Sequence, residues 1–269
     1  MRWPFKNWGA TTVLSGHEHV YERLYVDGLS YFVNGLGGES IHSFDSTIFG
    51  SQLRYNGNYG AMIILAYDDS LSMRFYNVTG NKIDQYKILP SPKNLSLTSY
   101  IEGLYDLSTG NVTGDSVIVS VRNSFPPYSI VDSSMSFLQN MGSGLFTFTK
   151  VSNATDYYLV LRHRNSVETW SGSPVRFSAD VLNYNFTSTA SQAYGNNLIL
   201  KGTKYCIYSG DVDQNGIIDG VDLSIVDNDA ANFTVGYVPS DVTGNNIVDG
   251  LDLLIVDNNS YNFVQTIRP

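Results

Sequence analysis

A twelve-residue stretch beginning at Asp211 returns thirty residues later at Asp241, and the likeness continues past its end. Asp211-Val212-Asp213-Gln214-Asn215-Gly216-Ile217-Ile218-Asp219-Gly220-Val221-Asp222 is matched by Asp241 to Asp252, Asp227-Asn228 by Asp257-Asn258, and Asn232-Phe233 by Asn262-Phe263. Duplication of one loop-and-helix unit accounts for this pattern. The repeat also concentrates charge. Residues 211 to 257 hold ten Asp and no Glu, Lys or Arg, so the other 15 of the 25 acids face 16 bases and the net charge of −9 belongs to this segment. So many like charges oppose compaction unless a hard cation gathers them.

The spacing names that cation. Oxygen donors stand at positions 1, 3, 5, 9 and 12 of the first loop (Asp211, Asp213, Asn215, Asp219, Asp222), with the backbone carbonyl of Ile217 at position 7. This is the ligand spacing of a calcium loop. Gly216 occupies position 6, where the chain turns through a positive φ. The second loop offers Asp241, Thr243, Asn245, Asp249 and Asp252 with Ile247 at position 7, and Asn246 replaces the glycine. It has three carboxylates where the first has four, so the first site is expected to fill before the second. Ile218 and its counterpart Val248 are expected to pair across the loops. Leu223, Ile225 and Val226 begin an apolar helix face.

An acidic chain without a basic patch is unsuited to nucleic acid. No run approaches a membrane span, and Met1-Arg2-Trp3-Pro4 has no apolar leader core. The single Cys206 excludes an intramolecular disulfide and reads as a buried strand thiol. Tyr and Phe richness, with Asn, Ser, Thr and Gly between, suits a strand-rich extracellular protein.

In residues 1–90, strands are expected at Thr11–Leu14 and Leu29–Val33. A three-stranded meander follows (60–67, 70–78, 82–88), with turns at Asp68-Asp69 and Thr79-Gly80-Asn81. The apolar run of its first strand predicts cover on both faces. Between the first two strands lies Gly16-His17-Glu18-His19-Val20-Tyr21-Glu22-Arg23, which brings two imidazoles close together. His42, in a polar loop, is expected to be exposed and not a ligand.

Gly16-His17-Glu18-His19 with Tyr21-Glu22-Arg23 resembles the last metal-binding motif of the calcineurin-like metallophosphoesterases, closest to the purple acid phosphatase branch. The resemblance implies that His17 binds one metal and His19 the other of a dinuclear Fe, Zn or Mn centre that hydrolyses phosphate esters, with Tyr21, Glu22 and Arg23 shaping the loop. Such a centre needs a bridging carboxylate and further ligands. The family's Asp-x-Asp/His, Gly-Asp and Gly-Asn-His motifs are absent from this sequence. Residues 1–90 are therefore expected to be the closing portion of an α/β catalytic domain whose first part lies outside it, and the chain by itself is expected to be inactive.

Pro90-Ser91-Pro92 marks a boundary. Alternating strands at 116–122, 144–148 and 157–163 then suggest an all-β sandwich over 91–207, similar to prealbumin-like spacers. Arg162-His163-Arg164 reads as a solvated strand face with a satisfied histidine. Residues 208–269, two calcium loops each followed by one helix, resemble a type I dockerin. The resemblance implies a cohesin-like or cell-surface partner, although Gly220-Val221 and Gly250-Leu251 stand where dockerins commonly carry Ser or Thr. The fold class is thus multidomain and mostly β. The expected protein is the C-terminal part of a secreted or cell-surface bacterial metallophosphoesterase with two calcium ions in its tail. The alternative is a non-catalytic anchoring protein.

Overall fold

The computed structural model describes residues 3–67 and 70–269, and the turn expected at Asp68-Asp69 lies outside them. The chain is mostly β, with two α-helices near its C-terminus. It divides into two compact units at Pro90/Ser91. No helix is long and apolar enough to cross a membrane.

In the first unit, β1 (Thr12–Ser15), β2 (Tyr21–Val26), β3 (Leu29–Asn34) and β4 (Ser51–Tyr55) form a sheet in the order β1-β3-β2-β4, with β1 parallel to β3. Strands β5 (Gly60–Tyr67), β6 (Ser70–Asn77) and β7 (Lys82–Ile88) form the antiparallel meander. Tyr21, Phe32 and Leu36 meet Met73 and Phe75 in a small core. Two expectations are corrected here. Tyr21-Glu22-Arg23 does not shape a loop but opens β2, where Tyr21 OH and Arg23 Nε each donate to Asp84 Oδ2 at 2.8 Å. Strand β5 is not covered on both faces: it is the edge of its sheet, and Ile63 is 50 % exposed. Ile64, which alternation places on the opposite face, is 41 % exposed, so neither face of the strand is fully covered.

The second unit begins with β8 (Lys93–Thr98), β9 (Asp115–Asn123), β10 (Ile130–Leu138), β11 (Ser143–Phe148), β12 (Tyr157–His163), β13 (Ser166–Trp170) and β14 (Val181–Asn185). They build one sheet ordered β10-β9-β12-β13 and another ordered β11-β8-β14, and a short hairpin of β15 (Ile199–Lys201) and β16 (Lys204–Cys206) follows. Alternation decides what faces inward: Val117, Val119 and Val121 of β9 and Leu159 and Leu161 of β12 meet Leu95, Leu97, Phe146 and Phe148 in one core. Strand β12 is buried on its other face as well, where Tyr158 and Val160 lie with Trp170.

Helices α1 (Gly220–Ala231) and α2 (Gly250–Tyr261) close the chain. Each begins with a capping box, Asp219 with Asp222 and Asp249 with Asp252. These boxes satisfy amide groups that a helix start otherwise leaves without partners. Val212, Ile218, Val226, Val242, Val248, Val256 and Val264 belong to the same core as the two sheets, so residues 91–207 and 208–269 bury their apolar side chains together. Close approach seals the junction. A Cβ on Gly103 would lie 2.1 Å from the carbonyl oxygen of Val242, which only glycine permits.

The two loops are joined, but not by Ile218 pairing with Val248. The Ile218 amide donates to Val264 O at 2.9 Å, and the Val248 amide to Thr234 O at 3.0 Å. Each loop therefore pairs with the segment that follows the other repeat's helix. The exchange is reciprocal at the same offset of thirty residues.

Candidate metal sites

In the first loop the turn at Gly216 (φ 91°) folds the chain back so that its amide points at Asp211, 3.2 Å from Oδ2. The Val212 and Asp213 amides donate to Asp222 Oδ1 at 2.8 and 3.2 Å, and the Asp219 amide to Asp222 Oδ2 at 3.0 Å. Backbone donors thus hold two carboxylates in place. The outcome is a cluster in which Asp211, Asp213 and Asp222 each offer an oxygen within 4.8 Å of the others, the one such group of three His, Cys, Asp or Glu side chains among the described residues. Asn215 adjoins it, its Nδ2 donating to Asp213 Oδ2 at 2.9 Å. Asp219 is used differently: its side chain accepts from the Val221 amide and caps α1.

Burial makes the cluster electrostatically unfavourable. Asp211 is 2 % exposed, and burial, reinforced by the charges of Asp222 and Asp213, raises its carboxyl to about 6 despite the Gly216 amide. Burial raises Asp222 as well. An all-oxygen, carboxylate-rich set that resists ionisation by itself suits a hard divalent ion.

The second loop has the same backbone trace and a different charge pattern. Asn246 adopts a φ of 67° in place of the glycine. Asp241 accepts from the Asn245 and Asn246 amides, both at 3.1 Å. Thr243 Oγ1, where the first loop has a carboxylate, donates to Asp252 Oδ1 at 3.0 Å. The Ile247 amide donates to Asn245 Oδ1, and Asp249 caps α2.

A contact from outside the repeat also reaches this loop. The turn between β12 and β13 inserts beside it: Arg164 donates through Nε to Asp115 Oδ2 at 3.0 Å and through a terminal nitrogen to Val238 O, while its other terminal nitrogen lies 3.8 Å from Asp241 Oδ2. Asn165 Nδ2 donates to Pro239 O and Asp241 O, both at 3.0 Å. Asp115 also accepts from His163 Nε2 at 3.0 Å and from Tyr237 OH at 2.7 Å. Burial opposes ionisation of Asp115, but these hydrogen bonds outweigh it and hold the carboxyl well below its usual range. Burial lowers His163, which is neutral beside it. Arg164 is therefore not on a solvated face, as strand alternation suggested, and sequence offered no signal for it because its partner lies 77 positions away.

In the first unit His17 is exposed with a φ of 77°, and His19 is half-buried. His19 Nδ1 lies 2.7 Å from Ser40 O. A carbonyl only accepts, so Nδ1 carries the hydrogen and Nε2 keeps its lone pair, the tautomer in which metal-ligating histidines are commonly held. His42, exposed as expected, stacks on His19 at 4.3 Å with Nδ1 3.3 Å from Glu18 Oε1. Neither His17 nor His19 belongs to a group of three metal-ligating side chains among the described residues. Two imidazoles without a bridging carboxylate do not fit a dinuclear centre. Cys206 is buried in β16, which pushes its thiol up to about 12. No family model matches the chain, and no curated protein matches it.

Proposed function

We propose that this chain is a calcium-held attachment module, dockerin-like in its duplicated tail, joined through a β-sandwich to the closing segment of a metallophosphoesterase domain. The observation that carries the calcium reading is the convergence of Asp211, Asp213 and Asp222 on one small volume. With Asn215, the Ile217 carbonyl and Asp219 they would hold the first ion. Asp241, Thr243, Asn245, the Ile247 carbonyl, Asp249 and Asp252 would hold the second. Calcium supplies charge neutralisation here and no chemistry. The phosphoesterase reading rests on the Gly-His-Glu-His-x-Tyr-Glu-Arg motif and on the His19 tautomer. No catalytic step is derived from two histidines. The alternative, a secreted or surface anchoring protein that performs no hydrolysis, is favoured by the absence of a third ligand beside His17 and His19 among the described residues.

Calcium titration by calorimetry tests the first part. Two binding events are expected, the tighter abolished by Asp211→Asn, and no heat of binding would refute the reading. Phosphate ester hydrolysis by this chain with added Fe, Zn or Mn is expected to stay at the metal-only background. Turnover above that background, lost in His17→Ala, would show that the two histidines already form a working site.

A further inference from the structure

The two copies of the repeat treat their first ligand differently. Asp211 forms no ion pair among the described residues: Asp213 and Asp222 converge on it, and although Arg162 and Arg268 line the same cavity, neither pairs with it, Arg162 facing Glu168 instead. Asp241, 1 % exposed, lies 3.8 Å from a guanidinium that is itself 12 % exposed. That guanidinium has little freedom. Its Nε donates to Asp115 and one terminal nitrogen to the Val238 carbonyl, and it sits 4.4 Å above the ring of Tyr237, whose hydroxyl donates to Asp115 in turn. Neighbouring Asn165 grips the backbone on either side of Ser240 through the Pro239 and Asp241 carbonyls. The same residue's own carbonyl accepts from the Gly210 amide at 2.7 Å, just before the first loop. One turn of the sheet thus touches both loops and delivers a cation to one of them.

The interior of the second loop agrees with that asymmetry. Where Asp213 adds a third negative charge to the first loop, Thr243 adds a hydroxyl that donates to Asp252. The second loop is closed by groups the protein carries itself: the Asn245 and Asn246 amides donate to Asp241, the Arg164 guanidinium lies 3.8 Å from it, and the Thr243 amide and hydroxyl with the Asp249 amide donate to Asp252. Two charges of the same sign compete for one carboxylate. A guanidinium fixed at Asp241 therefore stabilises the metal-free loop and opposes entry of a calcium ion.

We propose that Arg164 is a built-in counter-cation for the second loop, which keeps that loop folded without calcium and makes the first loop the calcium-sensitive half of the tail. This rests on the calcium reading above. Arg164 acts here as a positioning residue, through Asp241.

Hydrogen exchange of the full chain, with calcium and in calcium-free buffer containing chelator, reads each loop separately. In the wild type, peptides from 211–226 are expected to lose protection without calcium while those from 241–256 keep theirs. In Arg164→Gln, 241–256 is expected to exchange about tenfold faster without calcium and to regain wild-type protection when calcium is added. Arg164→Lys, which retains the charge, is expected to restore most of the metal-free protection. Metal-free protection of 241–256 unchanged in Arg164→Gln would overturn the proposal. So would equal loosening with and without calcium, which marks a packing role, or failure of the lysine to rescue. If calcium alters neither loop of the wild type, the calcium reading itself fails, and that outcome is distinct because it appears before any substitution.

Discussion

Asp211 is where the chain's charge and its fold conflict. Its carboxyl has an ordinary value of 3.8 and rises to about 6 in the folded, metal-free protein, first through burial and then through Asp222 and Asp213. A carboxyl raised on folding binds more protons in the folded state than in the unfolded one, so stability falls as pH rises through the interval between those values. Burial raises Asp222, Asp241 and Glu102 in the same direction, whereas Asp115, Asp156 and Asp180 are lowered and act nearer the acid end. By itself Asp211 is therefore expected to make the metal-free protein about 1 kcal/mol less stable at pH 7 than at pH 5, while buried His163, lowered from its ordinary value, acts in the opposite direction over that range. Denaturant unfolding of wild type and Asp211→Asn in calcium-free buffer measures it, and the wild type is expected to lose more stability than the variant from pH 5 to pH 7. The same pH slope in wild type and Asp211→Asn would contradict the assignment. Calcium affinity should fall as pH drops through the same interval, since the ligand must be deprotonated. The residue-level pattern was legible in the sequence because ligand spacing is local. Arg164 was not, because the contact that gives it meaning joins two distant parts of the chain.

Among the elements, the helices of the tail and the meander of the first unit follow from local signals. Asp219 and Asp249, each three residues before another Asp, announce the helix starts, and Asn77, Gly80 and Asn81 close the turn between β6 and β7. Strands β2, β4, β8, β10, β13, β14 and β15 lie outside the segments whose alternation the sequence makes plain. Tyr21–Val26 overlaps the histidine motif, and β10 carries Asp132, Ser133, Ser134 and Ser136 in a strand whose apolar members are largely exposed. The pairing of each loop with the tail of the other repeat escaped for a related reason, since the duplication specifies two equal units without specifying how they exchange partners. The caps permit a direct test. Asp219→Ala removes the acceptor of the Val221 amide and is expected to cost about 1 kcal/mol. Because position 9 of such loops commonly reaches calcium through water, the loss should be similar with and without the ion. A loss confined to calcium-loaded protein would identify Asp219 as a direct ligand.

At the scale of the whole second unit, the composition shift near residue 208 suggests a detachable tail, whereas the packing argues for one cooperative body. Seven apolar side chains of the tail lie in the core of the two sheets. Burying a side chain of that size contributes about 1.5 kcal/mol or more, so together they supply roughly 10 kcal/mol, comparable with the net stability of an ordinary domain. Even if half of that burial were internal to the tail, its removal would still cost about 5 kcal/mol. Polar contacts act in the same direction. Glu102 is buried, and its Oε2 accepts from the Ser209 amide at 3.1 Å and from Asn259 Nδ2 at 2.7 Å, so truncation would remove both donors. Residues 91–207 alone are therefore expected not to fold, and residues 208–269 alone are expected to remain largely unfolded even in saturating calcium. Residues 91–269 should unfold in a single transition that calcium shifts upward as a whole. Circular dichroism of the three fragments, with and without chelator, decides the matter. A 91–207 fragment with a cooperative melt would show that the tail is an independent attachment and that the shared core is dispensable. If instead only the joined unit melts cooperatively, calcium bound between Asp211 and Asp222 is felt by every strand packed on that core.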